Sequence, residues 1–510
     1  MTRSRLPLLA ALLLGAATVF GFAPFSLAAV PVLTVAALFA LWQHAGSARW
    51  AAAIGFFFGL GLFGAGVSWV YVALSTFGEM PAVLAAIGTA GFCAYLALFP
   101  AAAGWLCARF APQRSAARLA LAAALWALAE WLRGWLLSGF GWLAVGYAQV
   151  GHALSGYAPV GGVFLVSLAT CAIAALLVHA VHAVEARAWR SIAIATAAAT
   201  MIWIAGAALS ILEWTREVGE PVAVSLVQGN IEQEQKFDPA YRDNTLAIYA
   251  ELTRSAKGRL IVLPESALPM FADEVPAAYV AGLRDAALKN GGDVMLGLFF
   301  FEPRASSEEE DRYFNSVVSV GSATAQRYSK HHLVPFGETI PGKAVFGWFI
   351  RSVLSIPLAD QTPGPAYQEP FAVAGQRVAV NICYEDAFGN ELARRAEEAT
   401  LFVNVTNDAW YGHSIAAEQH EQIAAMRALE TSRPMLRATN TGITSIIDHR
   451  GREQGRLPWF TRGILEGRIS GRTGTTPYVR LGDAPVVVLA MLLAAAAWLT
   501  GSRRAQVAGA

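Results

Sequence analysis

The sequence predicts a polytopic α-helical membrane bundle of about eight spans joined to a layered α/β domain. Three observations predict it. The 510 residues are 55% hydrophobic and only 15% charged, with a mean hydropathy of +0.44, whereas soluble domains carry about 25% charged residues. Charge is also unevenly spread, since residues 1–213 contain no Lys and no Asp while 214–483 read like a water-soluble protein. Finally, the arginines of the apolar part fall in alternate loops. The chain therefore divides into a transmembrane bundle over 1–213, a globular domain over 214–483, and a last span with its tail over 484–510.

Seven apolar runs form the first part: Leu8–Phe25, Leu27–Trp42, Ala51–Leu74, Pro81–Cys107, Leu119–Leu137, Val160–Val181 and Ile192–Leu212. An eighth covers Pro485–Thr500. Crossing the hydrocarbon core takes about 20 residues, so the second and eighth are short. Arg3 and Arg5 ahead of a Leu/Ala run resemble a signal peptide, but the spans that follow favour an uncleaved first helix. Arg3 and Arg5 precede span one, and Arg49 lies between spans two and three. Arg109, Arg114 and Arg118 lie between four and five, Arg187 and Arg190 between six and seven, and Arg503 and Arg504 follow span eight. The other loops have none. Positive residues mark the cytoplasmic side, so both termini are expected inside and 214–483 outside. A net charge of +1 without a basic tract gives no reason to expect a nucleic-acid partner.

From Pro221 the periodicity changes. Strands are expected at Val222–Val227, Leu260–Leu263, Asp293–Phe301, Asn315–Val320, Val378–Cys383, Leu401–Val405 and Thr444–Ile447. Helical patterns occupy Ala240–Lys257, Pro276–Asn290, Ala387–Glu398 and Ile415–Thr431. This alternation, with a strand pair in its middle, predicts sheets covered by helices.

Cys93, Cys107 and Cys171 sit in or at the end of apolar spans, which leaves Cys383 alone in the external domain. A compartment that favours disulfides gives this thiol no partner within the chain, so it needs another reason. It ends the run Arg377–Cys383 and precedes Tyr384, Glu385 and Asp386. Such a residue is either buried filler or a presented nucleophile. Two other strand ends supply partners, Leu-Pro264-Glu265-Ser266 and Tyr328-Ser-Lys330. An ammonium beside the thiol favours thiolate, and a carboxylate can accept its proton. Lys330 and the Tyr384 N–H can hold an oxyanion.

Pro-Glu265, Lys330-His-His-Leu-Val-Pro-Phe-Gly-Glu338 and Ile-Cys383-Tyr-Glu385 resemble the nitrilase, or carbon–nitrogen hydrolase, superfamily. Phe22-Ala-Pro-Phe25, Glu130-Trp-Leu-Arg-Gly-Trp135, Val227-Gln-Gly-Asn-Ile231, Asn407-Asp-Ala-Trp-Tyr-Gly412, Met426-Arg-Ala-Leu-Glu430 and Arg437-Ala-Thr-Asn-Thr-Gly442 narrow the resemblance to the apolipoprotein N-acyltransferase family. It implies an αββα sandwich for the external domain. The implied activity moves a fatty acyl chain from a phospholipid to the N-terminal amine of an S-diacylglyceryl-cysteine lipoprotein. The implied location is the bacterial inner membrane, with the catalytic domain periplasmic, a monomer in the bilayer, and no cofactor. By the same resemblance Glu265 is the general base, Lys330 the electrostatic stabiliser and Cys383 the nucleophile. Glu338, Tyr384, Glu385 and Asn315 match supporting positions. One departure is Phe237, where the family pattern has Trp, so an indole N–H donor is missing.

The segment Ile340–Leu358 is very apolar for an external stretch, with Trp348 and Phe349 at its centre. It reads either as an acyl-chain lid or as a buried helix. Glu130 and Arg133, three apart, are opposite charges on one face of a span and read as a pair fixing the bundle. His413 and His420 have no third ligand nearby in sequence, so no metal site is expected. Two rival readings are a membrane-tethered amidase and a transporter with a non-catalytic external domain. The first leaves the spans unexplained, and the second conflicts with a bundle almost free of midplane polar residues.

Overall fold

The computed structural model describes residues 5–304, 311–339 and 360–508. It separates into two compact units, one of residues 1–70, 86–213 and 481–510, the other of 71–85 and 214–480. The expected lid at 340–358, with Trp348, lies outside the described residues.

The first unit is helical: Leu6–Thr18, Ala29–His44, Ala48–Gly66, Ala82–Phe110, Ala116–Arg133, Ala158–Glu185, Trp189–Ser210 and Ala484–Ala508. Among the described residues, five stretches are long and apolar enough to span a bilayer, namely 48–66, 82–110, 153–185, 189–210 and 484–501. Leu6–Gly21 and Ala29–His44 are apolar but shorter, and Ala116–Arg133 carries Arg118, Glu130 and Arg133. Glycine lets these helices approach: a Cβ on Gly15 would overlap the Phe58 carbonyl, and one on Gly61 the Leu12 carbonyl. Close backbone contact of this kind replaces the hydrophobic drive that lipid does not supply. Glu130 accepts hydrogen bonds from Trp126 Nε1 (2.7 Å) and the Val145 amide (2.9 Å). Arg133 donates to the Phe140 and Trp142 carbonyls at 2.7 and 2.6 Å. Both charges thus brace the irregular stretch that follows their own helix, where buried backbone groups need partners.

The second unit holds two six-stranded sheets. The first runs β12-β1-β2-β3-β4-β5, with β1 Thr215–Gln228, β2 Leu260–Val262, β3 Asp293–Glu302, β4 Arg312–Gly321, β5 Arg327–Ser329 and β12 Gly463–Gly474. The second runs β11-β10-β9-β8-β7-β6, with β6 Phe371–Val373, β7 Gln376–Ile382, β8 Leu401–Thr406, β9 Met435–Thr439, β10 Ser445–Ile447 and β11 Glu453–Arg456. Val224, Leu226, Val262 and Val317 from one sheet share a buried cluster with Val378, Val380, Val403 and Leu436 from the other. The outer face of the first sheet packs Ile248, Tyr249, Leu283 and Ala287 of the helices Arg242–Ser255 and Ala277–Lys289. Helices Gly389–Ala396 and Ala416–Thr431 belong to the second sheet's side. The result is the expected αββα sandwich.

Its connections explain where chemistry collects. β1, β2 and β3 are parallel, as are β7, β8 and β9. Parallel strands end at one edge, and ligands bind outside such carboxyl ends. The expected central pair is the antiparallel β3–β4 hairpin. β12 escaped the sequence reading because Glu466, Arg468 and Arg472 interrupt its apolar pattern, yet it pairs along nearly all of β1.

Candidate active site

Three loops bring Glu265, Lys330 and Cys383 together. Cys383 follows β7 in a short 3₁₀ turn with φ +53°, a left-handed conformation rare for a residue with a side chain. Its carbonyl accepts from Asn404 Nδ2 at 3.1 Å and lies 3.3 Å from His420 Nε2. Glu385 fastens this turn from below. Its carboxylate accepts from the Ile382 amide (2.7 Å), Tyr328 Oη (2.9 Å) and the His331 and His332 amides (2.8 and 3.2 Å). The last three donors lie on the segment around Lys330, so Glu385 ties the Cys383 turn to that segment. Tyr384 is buried, its ring 5.0 Å from Phe388.

Glu265 stands in the turn after β2. A Cβ on Gly297 would come 2.5 Å from the Ser266 nitrogen, so a glycine in β3 lets that turn pass. Glu265 Oε1 accepts from Asn315 Nδ2 at 2.7 Å and lies 3.7 Å from Lys330 Nζ. Lys330 donates to Glu338 Oε1 at 2.7 Å, while Glu338 Oε2 accepts from the Val334 amide at 2.9 Å. The Asn315 carbonyl accepts from the Lys330 amide at 2.8 Å, so this one residue registers Glu265 and Lys330 together. Glu265, Lys330 and Cys383 are 6, 1 and 7% exposed, a water-poor setting for charge transfer.

Burial opposes the charge on Lys330, but Glu338 and Glu265 outweigh it and hold the ammonium protonated. Burial raises the Cys383 thiol well above its ordinary range, Glu265 raises it further, and Lys330 opposes both. The resting group is a thiol whose ionisation requires its proton to be taken locally. Burial likewise raises the Glu338 carboxyl, against the pull of Lys330. Phe237, 6.3 Å from Phe299 of β3, adds an aromatic wall.

The sequence reading missed two features. Lys236, just before Phe237, is 3% exposed and donates to the Glu265 carbonyl at 2.9 Å. A single Lys in a polar segment carries no sequence signal of burial. The second feature is a charged cluster under the Cys383 turn. Arg437 donates to Asp386 Oδ2 (3.1 Å), Asn404 Oδ1 (2.9 Å) and Asp408 Oδ2 (3.0 Å). His420 joins the same carboxylates, Nδ1 to Asp408 Oδ1 at 2.8 Å and Nε2 to Asp386 Oδ1 at 2.9 Å. Burial and Arg437 disfavour charge on His420, yet Asp386 and Asp408 raise it to about 9. Ligand atoms of Cys383, Asp408 and His420 lie within 4.8 Å of one another. The expectation that no third donor stands near His420 is therefore incorrect, because the partners are distant in sequence.

The remaining motifs anchor the site's edge. Asn440 brackets Ile231, accepting from its amide (2.9 Å) and donating to its carbonyl (2.8 Å). Asn407 donates to Gln233 Oε1 at 2.8 Å, in the short helix that ends with Lys236.

Comparison with known proteins identifies the family. Residues 14–176 match the apolipoprotein N-acyltransferase N-terminal domain, and 223–478 match the carbon-nitrogen hydrolase family. Apolipoprotein N-acyltransferase of Nitrosomonas europaea is 48% identical over 95% of this chain and 96% of that protein. The enzymes of that name from Methylococcus capsulatus and Ralstonia nicotianae are 42% and 41% identical, covering 92% and 98% of this chain and 91% and 94% of theirs. The chain belongs to the apolipoprotein N-acyltransferase family, a membrane branch of the carbon-nitrogen hydrolases.

Proposed function

We propose that this chain moves a fatty acyl group from a phospholipid to the α-amine of a diacylated lipoprotein in two half-reactions. Cys383 Sγ attacks the ester carbonyl while Glu265 takes the thiol proton. Lys330 Nζ and the Tyr384 amide hold the oxyanion. The ester C–O bond then breaks, Glu265 returns its proton to the leaving alkoxide, and lysophospholipid departs. The acceptor amine attacks the thioester and gives a proton to Glu265. The C–S bond breaks, and the thiol is restored. Glu338, Asn315 and Glu385 fix the lysine, the base and the nucleophile's turn.

The observation that carries this reading is the buried convergence of Glu265, Lys330 and Cys383 from three strand ends. Burial also serves the choice of nucleophile, since a positioned amine competes with water at an effective molarity of about 10⁵ M or more. The arginine pattern supports a periplasmic catalytic domain in the inner membrane with cytoplasmic termini. The bilayer would supply the donor, and a monomer carries the whole triad.

Product analysis tests the proposal. With phospholipid alone, purified full-length protein should release about one lysophospholipid per molecule, the stoichiometry of a single acyl-enzyme burst. Steady turnover should begin only when a diacylated lipopeptide is added. Continuous release of free fatty acid without an acceptor would instead identify a hydrolase.

A further inference from the structure

Lys236 is a buried charge that the two half-reactions leave unused. Its side chain is 3% exposed, and its hydrogen-bond partner among the described residues is the Glu265 carbonyl, 2.9 Å away. No carboxylate oxygen lies within ion-pair distance of it among the described residues, unlike Lys330, which holds Glu338 at 2.7 Å and Glu265 at 3.7 Å. An ammonium taken out of water without a counter-ion is among the least favourable things a fold can bury. Methionine would fill the same volume without that penalty, so packing does not explain the residue. Its helix, Gln233–Lys236, is moreover held in place by Asn407 on Gln233.

The charges around it suggest its use. Lys236 feels Glu265, in the turn after β2, and Cys383, in the turn after β7. Beyond Glu265 stand Lys330 and Glu338. Two carboxylates and two ammonium groups thus balance around an uncharged thiol. When the proton passes from Sγ to Glu265, negative charge leaves the carboxylate and appears on sulfur. Lys330 remains tied to Glu338, whereas Lys236 is bound to no carboxylate.

We propose that Lys236 is a positioning residue of the transfer reaction, fixing the backbone of Glu265 and offsetting with its charge the thiolate that forms on Cys383. This rests on the assignment of Glu265 as base and Cys383 as nucleophile. Only the protonated amine can act so, and burial lowers Lys236 to about 8, against the opposing influence of Glu265 and Cys383.

The test uses full-length protein and iodoacetamide, a neutral probe that needs no lipid, with alkylation of Cys383 followed by mass spectrometry. In wild type the rise of the rate with pH should flatten as pH passes about 8, where Lys236 loses its charge. Lys236→Met should slow alkylation at pH 7 by roughly tenfold or more, the equivalent of one pKa step, and abolish the flattening near 8. Lys236→Arg should retain much of the rate and move the flattening to higher pH. An unfolding temperature for Lys236→Met at or above that of wild type shows the variant folded. A rate within about twofold of wild type, with an unchanged pH profile, overturns the inference. The two proposals separate cleanly. Lysophospholipid release without any effect of Lys236→Met on alkylation removes this one alone, and Lys236-dependent alkylation without lipid turnover removes the proposed function alone.

Discussion

The thiol of Cys383 faces Glu265 and Lys330, whereas its carbonyl rests on Asn404 and His420. Each end therefore meets a buried charge cluster, and the two are built differently. Below the turn, all four carboxylate oxygens of Asp386 and Asp408 are engaged by His420 or Arg437. Around the thiol, Lys236 has only a carbonyl and Asn315 Oδ1 is buried without a hydrogen-bond partner among the described residues. Below the turn Arg437 Nε likewise has none there, but every carboxylate oxygen is held. Carboxylates held on both oxygens fix geometry, while a buried ammonium without a counter-ion keeps capacity for charge that appears during reaction. The difference separates scaffold from chemistry within one loop.

Breaking each cluster should give opposite signatures. The largest effect is expected from Glu265→Gln, which removes the proposed proton acceptor while retaining the Asn315 and Lys330 contacts. Acylation of Cys383 should fall by about 10²–10⁴-fold, with the unfolding midpoint near that of wild type. Arg437→Met should do the reverse by stranding Asp386 and Asp408. A buried network deprived of one partner loses about 3–5 kcal/mol, measurable by denaturant unfolding. Lys236→Met should combine lost reactivity with unchanged or increased stability, the gain being on the order of 3 kcal/mol at pH 7 from its lowering to about 8.

The smallest effects are in pH dependence, and their signs differ between the clusters. His420 is raised to about 9. Its contribution is therefore fully present below the unfolded value, about 6.5, and is lost as pH rises through 9. Lys236 is depressed to about 8, so its unfavourable burial is felt at lower pH and relieved between about 8 and 10.5. Unfolding of His420→Gln and Lys236→Met between pH 6 and 10 should remove one slope each. Parallel curves for both variants would contradict the contrast.

Much of this was legible in the sequence because the signals were local. The β-branched runs found most interior strands, and Pro-Glu265 and Ile-Cys383 each end one, whereas Lys330 follows the short edge strand β5, which the runs did not mark. The supporting residues were legible only as motif fragments. Asp408, Arg437 and Asn440 lie in Asn407–Gly412 and Arg437–Gly442, but nothing local says that these segments close on the Cys383 turn. His420 looked like a helix residue, and only the fold sets it between two aspartates. Lys236 and Arg437 defeat composition altogether, since charge normally reads as surface. Their burial arises from long-range pairing, which periodicity does not encode. In the apolar unit, hydropathy located the helices, yet thirteen residues in Leu6–Thr18 and sixteen in Ala29–His44 fall short of the length that a span requires.

The central claim, that Cys383 carries the acyl chain, is tested most directly by the mass of the Cys383 peptide after exposure to phospholipid without acceptor. The peptide should gain one acyl group in a hydroxylamine-labile thioester and lose it when a diacylated lipopeptide is added. Formation of N-acylated lipopeptide with no adduct on Cys383, and undiminished in Cys383→Ser, would contradict the account.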